Sequence, residues 1–133
     1  MTTLHDNQGC FVCGKDNPIG LKVEFEVDEN AKTIRGRFTP RPEHQGYEGI
    51  LHGGIITTLM DEAMVKLAWK LGYPAVSAEL TVRLKAPAAP GDDLIVTARI
   101  LKASGRLIEA EAKVERGSVV IGEAKGKLLK VRQ

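Results

Sequence analysis

The chain has 133 residues, 43% apolar and 27% charged, which are the proportions of a folded globular protein and argue against disorder. Its formal charge of +2 comes from interspersed basic and acidic residues, so no electrostatic footprint for nucleic acid stands out. No apolar run reaches the roughly 18 residues of a membrane span, and the opening MTTLHDNQGC is neither basic nor apolar enough for a leader; a cytoplasmic protein without a membrane partner is expected.

Residues 1–133 read as a single domain, without repeat, low-complexity tract or linker, in which 1–20 form a turn-rich lead. Within that lead Cys10 and Cys13 make a lone CxxC, a pattern shared by half-zinc sites and redox pairs. His5, His44 and His52 are the only histidines, and a four-ligand metal site has no support in the spacing. Gly14, Asn17, Pro18 and Gly20 predict a loop where a thioredoxin-like redox pair would open a helix. The thiols therefore read as structural, and no metal or redox cofactor is expected.

Residues 21–27 (LKVEFEV) alternate apolar and polar, the period of a half-buried strand, and 32–38 (KTIRGRF) give a second strand across a turn at 28–30. Pro40 and Pro42 then break regular structure in a loop over 39–51. One helix follows, at about 53–72, ended by Gly72 with Pro74 beyond. It is apolar on most sides, and Glu62, Lys66 and Lys70 form a narrow polar stripe spaced for pairing along the helix. Four strands complete the chain, at 75–85, 93–103, 107–116 and 119–131, separated by the turn-forming AAPGD, SG and RGS. A helix this apolar needs a sheet around it, and one sheet around one helix leaves an exposed edge or face, so a dimer that buries part of that surface is expected.

The chemistry concentrates in 46–62, GYEGILHGGIITTLMDE. Gly53 and Gly54 stand at the helix start, where backbone N–H groups lack helical partners and a ligand approaches closely. Asp61 falls about two and a half turns inside an apolar helix, where a carboxylate is costly unless used or paired. Taken singly, each feature has a structural explanation: a satisfied helix acid, a structural histidine, a close packing contact at the glycines. Their joint spacing points to a reaction centre.

The stretch 51–64 (LHGGIITTLMDEAM), with SAEL at 77–80, KAP at 85–87 and PGD at 90–92, resembles the hotdog-fold acyl-CoA thioesterases of the phenylacetate-degradation (PaaI-like) type. The resemblance runs over about 21–131. CFVCG at 10–14, NPIGL at 17–21 and QGYEG at 45–49 are similar to a subgroup that includes mammalian relatives. It implies an α+β hotdog fold, an antiparallel sheet wrapped around one long central helix, pairing through its sheets as a homodimer or a dimer of dimers with active sites at the interface.

It also implies an acyl-CoA substrate and roles for particular residues. Asp61 would act as general base or as nucleophile, two routes that the sequence does not separate, and the Gly53 N–H would be the oxyanion donor. His52 would shape the turn, and Ser77 would help place the water or the acid. Gly54 and Gln45 would border the substrate. Many relatives carry Asn or Gln six residues before the histidine, where this chain has Gly46, so Gln45 is the candidate to reach in from beside it. Of the basic residues Arg83, Lys85, Arg99, Lys102 and Arg106, the first two precede the Pro87 turn and are the candidates for the coenzyme A phosphates. Tyr47, Met60, Met64, Trp69 and Tyr73 are as readily core residues as acyl-pocket residues, leaving aryl and medium-chain acyl groups both open. The alternatives are a dehydratase or hydratase, whose Asp/His dyad is not found, and a non-catalytic acyl-CoA or acyl-carrier binding or sensor protein.

Overall fold

A computed structural model describes residues 3–131. Strands β1 (Glu24–Asp28) and β2 (Thr33–Phe38) precede a single 3-10 turn (Pro42–His44) and the helix α1 (Gly53–Lys70). Strands β3 (Ala75–Leu84), β4 (Leu94–Ser104), β5 (Leu107–Arg116) and β6 (Val119–Lys130) follow. All six strands join one antiparallel sheet in the order β1-β2-β4-β5-β6-β3. The hotdog expectation is met: one long helix lies against one curved antiparallel sheet.

The strand expected from residue 21 begins only at Glu24. Lys22 sits at φ 56, which interrupts the extended run, and its flanking N–H groups turn away from the sheet. Leu21 N–H donates to Phe11 O (2.8 Å) and Val23 N–H to Val12 O (2.9 Å). The lead is thus stitched to the chain that enters β1, and Val12, Leu21 and Val23 join the buried core. The proline-bearing loop, read as irregular, holds one 3-10 turn: Pro42 tolerates its first position, and His44 Nδ1 accepts from Arg41 N–H at 2.9 Å.

Helix α1 buries Ile56, Leu59, Met60, Ala63, Met64, Leu67 and Ala68, a stripe at i, i+3, i+4 spacing that faces the sheet. Two glycines of β6 let it approach: a Cβ at Gly122 would lie 3.1 Å from Ile56 Cγ2, and one at Gly126 3.0 Å from Met64 Sδ. The helix ends in a Schellman motif at the expected glycine. Gly72, at φ 89, donates to Trp69 O, and Tyr73 N–H donates to Ala68 O at 2.8 Å. Gly105 and Gly117 (φ 59 and 58) make the tight β4-β5 and β5-β6 connections expected from SG and RGS. Among the described residues no helix is long and apolar enough to cross a membrane.

Strand β3 is a sheet edge, with Val76 and Leu84 exposed on it. Its pairing with β6 slips between Ser77 and Glu79, a bulge that leaves Ala78 unmatched and re-aims the side chains beside it.

Candidate active site

The helix start is held from three sides. Leu51 N–H donates to Ala88 O (2.8 Å), His52 N–H donates to His44 O (3.0 Å), and Leu51 bridges to Gln45. His44 is buried and packs its ring against Phe38 at 5.3 Å; burial, chiefly, holds its pKa below the ordinary histidine value. Sequence reasoning treated His44 only as an unassigned histidine. Its part in anchoring the turn before α1 depends on a fold-back that no local pattern announces.

His52 is the N-cap of α1, and its Nδ1 accepts from Gly54 N–H at 2.8 Å. That bond occupies the Gly54 N–H. Ile55 N–H is taken by His52 O at 2.9 Å, so Gly53 has the unpaired amide of this first turn among the described residues. A Cβ at Gly53 would lie 2.8 Å from Leu84 Cδ1, which brings the end of β3 against the helix start. Thr57 and Thr58 return their hydroxyls to Gly53 O and Gly54 O, at 3.0 and 2.8 Å, and steady the first turn.

Asp61 is half-buried, and its Oδ1 is a fully buried oxygen without a hydrogen-bond partner among the described residues. Leaving such an atom unsatisfied costs on the order of 1–3 kcal/mol, more for a charged group. Burial raises the Asp61 pKa above the ordinary carboxylate value, and hydrogen bonding from the Ser77 hydroxyl opposes that rise. Ser77 is exposed on β3 at the edge of the bulge, and its effect on the Asp61 pKa puts it on the side of the edge strand that faces the helix acid.

The remaining candidates are less concentrated. Gln45 is exposed and its Oε1 accepts from Gly49 N–H at 3.1 Å, closing the loop ahead of the helix. Lys85 pairs with Glu123 at 3.1 Å on the sheet surface, while Arg83 is exposed on β3. A concavity of about 720 Å³ lies elsewhere: it is lined by Arg35, Arg99, Glu111, Lys113 and Lys125, a face of mixed charge that does not include Asp61.

The polar stripe of α1 does not pair along the helix as expected. Glu62 Oε2 accepts from the Cys10 thiol at 2.7 Å and from the Cys13 thiol at 3.2 Å, while Lys66 meets Asp6 at 3.7 Å. Burial, then the Glu62 carboxylate, pushes the Cys13 thiol up to about 12, the opposite of a reactive cysteine. Sequence reasoning missed this convergence, since 49 and 52 residues separate the partners.

Helix, sheet order and the glycine-rich helix start define a hotdog-fold protein of the thioesterase type. Residues 48–122 match the thioesterase superfamily, and the chain belongs to it. Human acyl-coenzyme A thioesterase 13 is 39% identical over 62 residues, a match spanning 45% of this chain and 44% of that protein, so less than half the length of this curated relative is matched. The Escherichia coli PaaI protein of the phenylacetic acid degradation operon shares the fold at a TM-score of 0.77 and 18% identity, over 84% of this chain and 81% of that one. The Streptococcus mutans protein smu.793, solved bound to acetyl CoA, is similar at 0.77 and 17% identity, over 84% and 90%.

Proposed function

We propose that the protein hydrolyses an acyl-CoA thioester to a free carboxylic acid and CoA, with Asp61 as general base or nucleophile and the Gly53 N–H as oxyanion donor. The observation that carries this reading is the half-buried Asp61, with a buried oxygen left unpartnered and its pKa raised by burial, on the helix whose first turn keeps the Gly53 amide free. Membership of the thioesterase superfamily and the likeness to an acyl-coenzyme A thioesterase and to an acetyl CoA-bound fold relative support the reaction class.

As a base, Asp61 takes the proton of a water whose oxygen attacks the thioester carbonyl. The Gly53 N–H then stabilises the oxyanion, and collapse of the tetrahedral intermediate expels the CoA thiolate, which takes up a proton. As a nucleophile, the carboxylate attacks the carbonyl itself, the C–S bond breaks to expel the CoA thiolate, which takes up a proton, and water hydrolyses the resulting anhydride to the free acid and the Asp61 carboxylate. Ser77 holds the acid or the water in either route.

Spacing supports a shared site. Eight residues along α1 put Gly53 and Asp61 about 12 Å apart at roughly 1.5 Å per residue, a separation that two facing copies would close. The resemblance to the thioesterase family implies that the Asp61 meeting a given Gly53 comes from a second copy of the chain, in a homodimer or a dimer of dimers.

The test is thiol release across short, medium, long and aryl acyl-CoA substrates, with wild type and Asp61→Ala in parallel. Turnover by the wild type, reduced about 10²–10⁴-fold in the variant, is the expected result. Stoichiometric acyl-CoA binding with no thiol released on any substrate would instead make the chain a binding protein.

A further inference from the structure

The lead folds back over α1 so that two sulfurs and one carboxylate oxygen converge. Cys10 Sγ, Cys13 Sγ and a Glu62 oxygen lie within 4.8 Å of one another, all on partly buried side chains. The turn that presents the sulfurs is tightly specified. Val12 N–H points at Cys10 Sγ (3.4 Å) and Gly14 N–H donates to Cys10 O (2.9 Å). A Cβ at Gly14 would lie 2.4 Å from Gln8 O and 2.5 Å from Cys10 N, so only glycine can follow the second cysteine here. The cluster borders a cavity of about 420 Å³, whose wall also carries His5 and Lys66.

We propose that Cys10, Cys13 and Glu62 bind a zinc ion that clamps the N-terminal lead to α1, with the fourth tetrahedral position facing the cavity. The donor chemistry fits: two thiolates select a soft or borderline ion over magnesium or calcium, and a carboxylate completes sets of this kind. Zn–S bonds of about 2.3 Å and a Zn–O bond of about 2.0 Å put tetrahedral ligand atoms about 3.5–3.8 Å apart. From the present 2.7 and 3.2 Å the carboxylate oxygen need retreat by no more than about 1 Å, within reach of side-chain rotation. On binding, the two thiol protons leave to solvent and two Zn–S bonds and one Zn–O bond replace two S–H···O hydrogen bonds, without change of oxidation state. Two thiolates, one carboxylate and a divalent ion sum to a single negative charge, which the Lys66 ammonium in the same cavity wall offsets. Asp61 is the next residue to Glu62, but successive side chains on a helix diverge by about 100°. Asp61 is not among the converging groups, so the metal site and the hydrolytic site stay separate.

Cobalt(II) titration of the metal-free, reduced full-length chain tests this. A thiolate-to-cobalt charge-transfer band with the visible bands of tetrahedral cobalt, saturating at one ion per chain and bleached by zinc, is the expected result. Cys10→Ser and Cys13→Ser each lose the charge-transfer band, and Glu62→Gln weakens cobalt binding by about tenfold or more. Zinc raises the Tm of the wild type and leaves that of the Cys10→Ser/Cys13→Ser variant unmoved. Asp61→Asn, inactive under the proposed function, titrates like the wild type, so failure of one reading does not carry the other with it. A wild type without the charge-transfer band, a band that survives in the serine variants, or a cysteine pair found oxidised and unable to take cobalt in reductant would overturn the proposal.

Discussion

Asp61 and Glu62 are neighbours in sequence, yet the fold sends them to different work. Asp61 keeps an oxygen buried and unpartnered, whereas Glu62 satisfies one of its oxygens twice over with thiols. Ser77 acts on Asp61 in the opposite sense to burial, on the lowering side of its pKa. Ser77→Ala is therefore expected to lower kcat on the order of tenfold, the worth of one hydrogen bond to a charged group, a smaller loss than removal of Asp61. Steady-state kinetics on the best acyl-CoA substrate measures both, and a Ser77→Ala enzyme at full kcat would remove Ser77 from the mechanism. Of these residues, Asp61, His52 and the glycine pair announce themselves through an unusual local context. The Glu62 contacts do not, because a helical glutamate four residues before a lysine reads as an ordinary surface pair.

At the scale of elements, the position of α1 was legible: a glycine pair at its start, a long apolar stretch, and a glycine where the left-handed cap must fall, while the N-cap role of His52 was not. Gly72→Ala places a Cβ on a backbone at φ 89 and is expected to destabilise the fold by about 1–2 kcal/mol. Urea denaturation followed by circular dichroism checks it, with unchanged m-value as the sign that only the cap is affected. The last four strands were equally legible, since the turn chemistry of AAPGD, SG and RGS marks each boundary between them. The start of β1 was not, because LKV continues the alternating pattern while Lys22 takes a left-handed conformation to engage the lead. Periodicity records which residues are buried and is blind to the partner that buries them. The same limit hid the 3-10 turn, whose prolines mark a break in the chain without stating its shape.

At the scale of the whole molecule, the distance along α1 between Gly53 and Asp61 turns assembly into a functional prediction. The particle should have at least twice the 14.4 kDa mass of the chain, measured by sedimentation or light scattering. A complementation experiment then asks whether sites are shared. Gly53 is the first helical position, where proline is well tolerated, and the exposed Leu84 side chain must rotate off the new Cβ, so Gly53→Pro deletes the N–H at the cost of one surface rotamer. Mixed with Asp61→Asn chains and allowed to exchange, two inactive proteins should recover roughly a quarter of wild-type activity, since half of randomly paired dimers hold one intact site of two. No recovery from demonstrably mixed dimers would place both groups in one chain.

Sequence alone determined the order and approximate bounds of helix and strands, and its resemblance to a known family supplied the hotdog class and a candidate site stretch. The elements follow from local rules: the burial period of each, the conformations only glycine adopts at turns, and the breaks that proline imposes. Tertiary structure decided that β3 is a sheet edge, that a bulge there meets Asp61 with Ser77, that His44 anchors the turn before α1, and that Cys10 and Cys13 close on Glu62. Each of these joins residues far apart in the chain, and such contacts are set by how the elements pack in space, a quantity that no local pattern of side chains encodes.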